Sequence, residues 1–321
     1  LRQLLLGKFE MKKIDLSKVK IYSLKERKSK VKIEDFVRPF KKESRIVDSL
    51  PRILAGKDWQ NLIKLLLLAY KKKKPIIFMC GAHVIKCGLS PLLIDLMRMG
   101  FVNLLALNGA GPIHDFEIAY HGETSEDVAE NLRDGKFGMA EETATFLNQT
   151  ISEAAKNNLG LGEAVGEAIL QKKLPYARYS LLAQAKKLGI PVTVHIAIGT
   201  DIIYQHPSCD GAAWGKTSYL DFLKFTQSIT NLGNGGVVLN FGSAVILPEI
   251  FLKAFNLTRN LEYEVKNFTR ANFDLYNHYR PRENIIHRPG ESKDSKGYIF
   301  IGHHEILLPL LYRCLIERMK K

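Results

Sequence analysis

Long apolar runs are missing from this chain of 321 residues. The longest, Leu65–Ala69, lies between Lys64 and Lys71, whereas a membrane-spanning helix needs about 20 apolar residues in succession. It reads as the buried face of a helix. Leu1–Gly7 is too short for the apolar core of a signal peptide, so a cytoplasmic protein without a membrane partner is expected. Cysteine is scarce, and Cys80, Cys87, Cys209 and Cys314 form no Cys-x-x-Cys pair. That spacing argues against a zinc ribbon or a disulfide framework. His83, His114, His206, His303 and His304 follow no metal-ligand spacing either, and no metal is expected.

Acidic residues are scarce in one place only. Residues 1–74 hold 22 Lys and Arg against 8 Asp and Glu, which accounts for the whole net charge of +14; the rest of the chain carries 25 of each sign. A basic arm is a candidate for binding nucleic acid or an acidic surface. Its lysines lie among Val, Ile and Leu without the interleaved aromatics of a single-strand platform, so a solvated lysine-rich surface is expected and nucleic acid is not. Residues 1–58 read as a basic extension packing on the body, with a short strand-like piece at Val19–Tyr22. Residues 59–321 read as a single α/β domain of the dinucleotide-binding type.

That domain alternates strands and helices. Trp59–Tyr70 has helical spacing and ends in Lys71–Lys74, which suits a helix C-terminus. Strands are expected at Ile76–Met79, Val102–Leu107, Pro191–Ile198, Val237–Asn240 and Tyr298–Ile301. Helices are expected at Pro91–Met99, Glu141–Asn157, Gly162–Lys172, Tyr179–Leu188, Tyr219–Leu232, Leu247–Phe255 and Glu305–Met319. Short β-branched strands between helices predict a doubly wound, mostly parallel sheet with helices on both faces, Rossmann-like in kind. Phe273–Lys296 shows little periodicity and reads as a long loop.

Ligands of open parallel sheets bind beyond the carboxyl ends of the strands, so the loops leaving the strands are the candidate site. Asn108–Asp115 is the richest. Asn108, Gly109, Ala110 and Gly111 offer close backbone approach and free amides for an anion, and His114 and Asp115 follow in the first helical turn; the bland alternative is a tight strand–helix turn with Asp115 as a helix cap. The loop Gly199–Lys216 gathers Thr200, Asp201, His206, Asp210 and Lys216. Asp201 with His206 makes a candidate acid–base pair, and Lys216 a nucleophile if desolvated; the bland alternative is a surface loop with an Asx turn at Asp210. Gly242, Ser243 and Ala244 form a second glycine-bearing turn, and His303 and His304 follow the last strand. Arg280, Arg282 and Arg288 in the long loop suit an anionic group, or solvent, equally.

In their order and spacing these loops resemble the deoxyhypusine synthase family, from about Ile76 to the C-terminus. VNLLALNGAGPIHDF at Val102–Phe116 is similar to the family's strand and Thr-Thr-Ala-Gly-Gly loop. GIPVTVHIAIGTD at Gly189–Asp201 resembles its Ile-Pro-Val strand and Thr-Asp-Gly loop. Gly236–Asn260 resembles its triple-glycine turn and following helix, and Ile299–Ile316 its last strand and closing helix. The resemblance implies NAD as cofactor, a polyamine or related small amine as substrate, and a homotetramer. It places cofactor contacts at Asn108, Gly109, Ala110, Gly111, Asp115, Thr200, Gly242, Ser243, His303 and His304. His114, Asp201, His206 and Lys216 become the candidate catalytic residues.

Several positions depart from the family pattern. His114 stands where the family has an NAD-contacting glutamate, and Gly242-Ser243-Ala244 where it has three glycines. His303 lies near the position of the aspartate that holds the adenosine. The stretch carrying the family's essential lysine reads Ile286-His287-Arg288-Pro289, while a Trp-Gly-Lys occurs earlier, at Trp214–Lys216. Three expectations therefore stand side by side: a diverged NAD-dependent transferase or oxidoreductase, an enzyme of the same fold using His/Asp acid–base chemistry without NAD, and a non-catalytic family member.

Overall fold

The computed structural model describes residues 16–23, 26, 32–37, 44–290 and 295–319. The chain divides into two units, Leu1–Phe36 and Val37–Lys321. In the first, the described residues form two single helical turns, Leu16–Lys18 and Ile33–Asp35, neither with a buried residue. Val19–Tyr22 is not a strand, and its four residues are exposed, Ile21 to 92%.

The second unit is built on one six-stranded sheet: β1 (Ile76–Cys80), β2 (Leu104–Asn108), β3 (Val192–His195), β4 (Val237–Phe241), β5 (Thr269–Asp274) and β6 (Lys296–Ile301). All five pairings are parallel, in the order β3-β2-β1-β4-β5-β6. The chain starts in the middle, winds outward to β3, then returns to wind the other way. The order therefore reverses between β1 and β4, the switch point at which doubly wound sheets bind ligands.

Nine helices are used below: α1 (Leu54–Lys71), α2 (Ser90–Arg98), α3 (Ala110–His121), α4 (Glu141–Lys156), α5 (Leu161–Gln171), α6 (Leu181–Lys187), α7 (Gly211–Ile229), α8 (Ile246–Asn260) and α9 (His304–Met319). Strand residues alternate between two cores. Phe78, Leu105, Val194, Phe241, Phe273 and Phe300 face one, with Leu62 of α1, Leu93 of α2, Leu147 of α4 and Leu308 of α9. Ile77, Met79, Ala106 and Val238 face the other, with Phe225 of α7 and Phe251 of α8. Four rings, one from each of β1, β4, β5 and β6, stack in a row: Phe78–Phe241 at 4.9 Å, Phe241–Phe273 at 4.0 Å and Phe273–Phe300 at 5.0 Å. Trp59 of α1 closes on this row edge-first, 4.9 Å from Phe300. Cross-strand aromatic pairs of this kind hold the register of neighbouring strands.

Two expectations need correcting. Phe273–Lys296 is not one long loop. β5 runs through Asp274, and Pro281–His287 winds as a wide helical turn in which the Arg288 amide bonds the Glu283 carbonyl at 2.8 Å. β5 was hidden because Arg270, Asn272 and Asp274 alternate with apolar residues and yet are buried. The second correction concerns α7, which begins at Gly211, eight residues ahead of the expected start at Tyr219. Asp210 makes the expected Asx turn, its Oδ1 accepting the Ala212 amide, and by also accepting the Ala213 amide it caps this helix. Trp214, Gly215 and Lys216 are therefore helical.

Candidate functional site

At the switch point the strands stay paired one residue beyond their ends. The Gly81 amide donates to Phe241 O at 2.8 Å, that of Gly242 to Phe273 O at 3.0 Å, and that of Gly302 to Asp274 O at 3.0 Å. Gly81 and Gly242 lie backbone to backbone, so a Cβ built on Gly81 would fall 2.3 Å from Gly242 O. Gly242 has φ +68°, where glycine is favoured, and its own Cβ would fall 2.6 Å from Nε2 of His304. His304 is buried against Gly242 and Phe241, with the exposed His83 ring 5.8 Å away. Burial holds its pKa below the ordinary value, with Asp274 pulling the other way. Ser243 is engaged within the turn: its Oγ accepts the Leu247 amide and its carbonyl accepts from Asn240 Nδ2.

The turn after β2 is built differently. Asn108 Oδ1 accepts the Ala82 amide at 3.1 Å, tying this loop to the one after β1. α3 then starts at Ala110 with Gly109 as N-cap and no side-chain cap, so its first amides are free for an anion. Gly111 packs on Leu107, which a Cβ would approach to 2.9 Å, and Gly109 faces Asp201, whose Oδ2 would lie 2.2 Å from a Cβ. The strand-end loops of β2 and β3 thus meet, and a cleft of about 210 Å³ opens beside them, lined by Lys86, Ala110, His114, Glu117, Thr200 and Asp201 among others.

Within the cleft the proton positions follow from the donors. The Thr124 hydroxyl donates its single proton to Glu117 Oε2, and Glu117 Oε1 accepts from Thr143 at 3.3 Å. His114 Nδ1 lies 2.7 Å from the same Thr124 oxygen. With that proton already given to Glu117, Nδ1 of His114 must be the donor, which leaves Nε2 of the neutral ring with its lone pair. Burial pushes the Glu117 carboxyl up, but His114, Thr124 and Thr143 outweigh it and hold it below its usual value. Asp201 behaves oppositely. Burial pushes it up, and Thr200, Tyr204 and His114 restore only part of the shift.

The remaining expected residues scatter. Asp115 is fully buried and points away, accepting from Ser180 Oγ and from the amides of Leu181 (2.6 Å) and Leu182 (3.1 Å), where it caps α6. It is a helix cap, not a cofactor contact. His206 does not pair with Asp201; its Nδ1 lies 2.7 Å from Ser208 Oγ in a local turn, and Tyr204 takes the place beside Asp201. Lys216 is exposed on α7, so nothing desolvates it, while its neighbour Trp214 is a core anchor donating to Asn148 Oδ1 at 2.8 Å. Thr200 is exposed and bonds the Ala197 carbonyl. His303 is exposed, 3.5 Å from Glu305. Arg280 pairs with Glu249 and Arg282 with Glu283, whereas Arg288 bonds Asn284 and Tyr279. Among the described residues no group of three His, Cys, Asp or Glu could hold a metal, and no helix is long and apolar enough to cross a membrane. Lys86, Glu117 and Thr124 were not foreseen from the sequence.

No family model and no curated protein matches the sequence. Solved structures do match in fold. A conserved LOR/SDH protein of Methanococcus maripaludis S2 superposes with a TM-score of 0.51 at 15% identity, over 84% of this chain and 71% of that one. AgrE in a ternary complex with ornithine and NAD+ does so with a TM-score of 0.52 at 12% identity, over 82% of this chain, which spans only 33% of AgrE. A protein of Entamoeba histolytica assigned as a deoxyhypusine synthase gives a TM-score of 0.50 at 12% identity, over 84% of this chain and 92% of that one. At these identities the likeness establishes a Rossmann-like α/β fold shared with deoxyhypusine synthase-like and NAD-binding proteins.

Proposed function

We propose that this chain is an NAD-dependent oxidoreductase acting on a small amine, with the substrate in the cleft between α3 and the loop after β3. The observation that carries the reading is the uncapped N-terminus of α3 opening on a cleft that also holds His114 and Asp201. The first amides of α3, at Ala110 and Gly111, suit a pyrophosphate. One neighbour of this fold, AgrE, is known in complex with ornithine and NAD+, which supports a dinucleotide as the cofactor. When bound, NAD supplies the hydride acceptor. The chain's own groups would do the rest: Asp201 would attract the ammonium, and Nε2 of His114, oriented through Thr124 and Glu117, would take a proton from nitrogen. Oxidation is favoured over group transfer because transfer needs an amine carrier, and Lys216 is exposed on α7 outside the cleft.

A second reading has one observation in its favour. The Gly81–Gly242 contact at the switch point is filled by backbone and by His304, which suits an acid–base enzyme that uses His114 and Asp201 without NAD. Native mass spectrometry of the full chain with NAD separates the two. Bound NAD, with NADH formed on adding small amines, supports the first; turnover of an amine without NAD supports the second. His114→Ala and Asp201→Ala are expected to abolish turnover while circular dichroism and melting stay unchanged. Full turnover in both variants would overturn the site.

A further inference from the structure

The cleft beside α3 contains two opposite charges, Asp201 and Lys86, that no ion pair neutralises among the described residues. Glu117 is engaged by Thr124 and Thr143, and Glu126 accepts from Asn131 Nδ2 at 2.8 Å and from the Gly138 amide at 2.9 Å. Asp201 has the Thr200 hydroxyl at 3.5 Å and Tyr204 beside it, but no ion pair joins it to a lysine or arginine among the described residues. Lys86, at the end of the helical turn that follows β1, lines the same cleft and forms no ion pair or hydrogen bond among the described residues. The two charges share one cleft and yet do not meet, since no ion pair joins them.

Desolvated charges left apart destabilise a protein unless something fills the space between them. Water on Lys86 does that adequately because its side chain is exposed. Asp201 is less well served: burial is the main influence on its carboxyl and pushes its pKa up. A cation supplied from outside would reverse that. Size limits the guest. At about 210 Å³ the cleft is smaller than the pockets that take drug-sized ligands and suits a small molecule. Ile113, Val128, Phe137 and Ile202 also line the cleft, which suits a short aliphatic chain between charged ends.

We infer that this cleft binds a small zwitterion, its ammonium on Asp201 and its carboxylate on Lys86. The substrate amine would thus be an amino acid or an ω-amino acid, and a plain diamine would bind more weakly. This rests on the cleft being the substrate site, but not on NAD being the cofactor.

Three probes with the same four-carbon backbone test it by calorimetry on the full chain: γ-aminobutyrate (one charge of each sign), putrescine (two ammoniums) and succinate (two carboxylates). γ-Aminobutyrate should bind at least roughly tenfold more tightly than either of the others, the factor contributed by one charge-assisted contact. Lys86→Gln should weaken γ-aminobutyrate and succinate by a similar factor and leave putrescine unchanged. Asp201→Asn should weaken γ-aminobutyrate and putrescine and leave succinate unchanged. Lys86 is exposed, so its variant has no reason to misfold. The inference is overturned if putrescine matches γ-aminobutyrate in the unaltered chain, if Lys86→Gln weakens all three alike, or if none binds. NAD binding is followed separately by native mass spectrometry. Loss of NAD with the zwitterion preference intact supports this inference and removes only the cofactor.

Discussion

At Gly242–Ala244 every close approach is made by the protein itself. Gly81 presses its backbone on Gly242, the His304 ring fills the space over Gly242, and Ser243 is bonded to Asn240 and Leu247. At Asn108–Gly111 the backbone also turns sharply, but α3 begins without a cap and the glycine faces a carboxylate that belongs to the cleft wall. Both turns follow strands at the centre of the sheet, and both look alike as glycine-bearing motifs. A glycine can serve close packing or close ligand approach, and only the atoms facing it decide which. The difference moves the candidate site from the switch point itself to the adjacent β2 and β3 ends.

Substitution can break this comparison. The largest effect is expected at Asp115, which is buried away from the cleft, in contrast to Asp201 on the cleft wall. Asp115→Ala leaves Ser180 and two buried amides without their acceptor and should destabilise the chain by about 4 kcal/mol, measured by urea unfolding. Asp201→Ala should change stability by less than about 1 kcal/mol, although it removes ligand binding. Next come the glycines. Gly81→Ala sets a Cβ against a carbonyl oxygen that cannot rotate away and should cost about 3 kcal/mol. Gly109→Ala meets the end of the Asp201 side chain, which can swing aside, so about 1 kcal/mol is expected together with weaker binding. Equal costs at the two glycines would show that the turns are equally sealed.

Much of the fold was legible because the strands are short, apolar and separated by helices of ordinary spacing. β5 escaped because burial of Arg270, Asn272 and Asp274 depends on partners far away in sequence: Pro289 O for Arg270 and Asn240 for Asn272. No local pattern announces such compensation. α7 was shortened because Asp210-Gly211 reads equally as a turn or as a helix cap followed by its first residue. The convergence of His114 and Asp201 was legible from the rule that ligands collect beyond strand ends. Lys86, Glu117 and Thr124 were not, since the chain must turn back at Gly122 after α3 to bring Thr124 to His114.

A pH-dependent effect is expected at another buried carboxylate. Asp221 on α7 accepts the amides of Val194 at 2.7 Å and Gly162 at 2.9 Å, joining β3 to the start of α5, and burial pushes its pKa up to about 7. Its ordinary value is 3.8, so between those limits the folded chain holds a proton that the unfolded chain has lost. Stability contributed by this group is therefore complete at low pH and declines as pH rises from about 4 to about 7, by ~1.4 kcal/mol per pH unit, and then levels off. Asp221→Asn should remove that part of the slope in urea unfolding curves. An unchanged slope would mean that the two amides keep the carboxylate ionised.

The smallest effects are expected at His206 and Lys216. Both lie in the segment after β3 that the sequence makes look catalytic, and both are outside the cleft. His206 bonds only within its own turn, to Ser208, and Lys216 is exposed on a helix whose neighbouring Trp214 faces the core. His206→Ala and Lys216→Ala should each shift stability by no more than about 0.5 kcal/mol and leave ligand binding and turnover at the level of the unaltered chain. Lys216 is the sterner case. A nucleophilic lysine has to be desolvated or placed beside another cation before its amine is reactive, and here the side chain is in water. If Lys216→Ala abolished turnover while binding survived, Lys216 would have to reach a bound substrate from α7, and the group-transfer reading would displace simple oxidation.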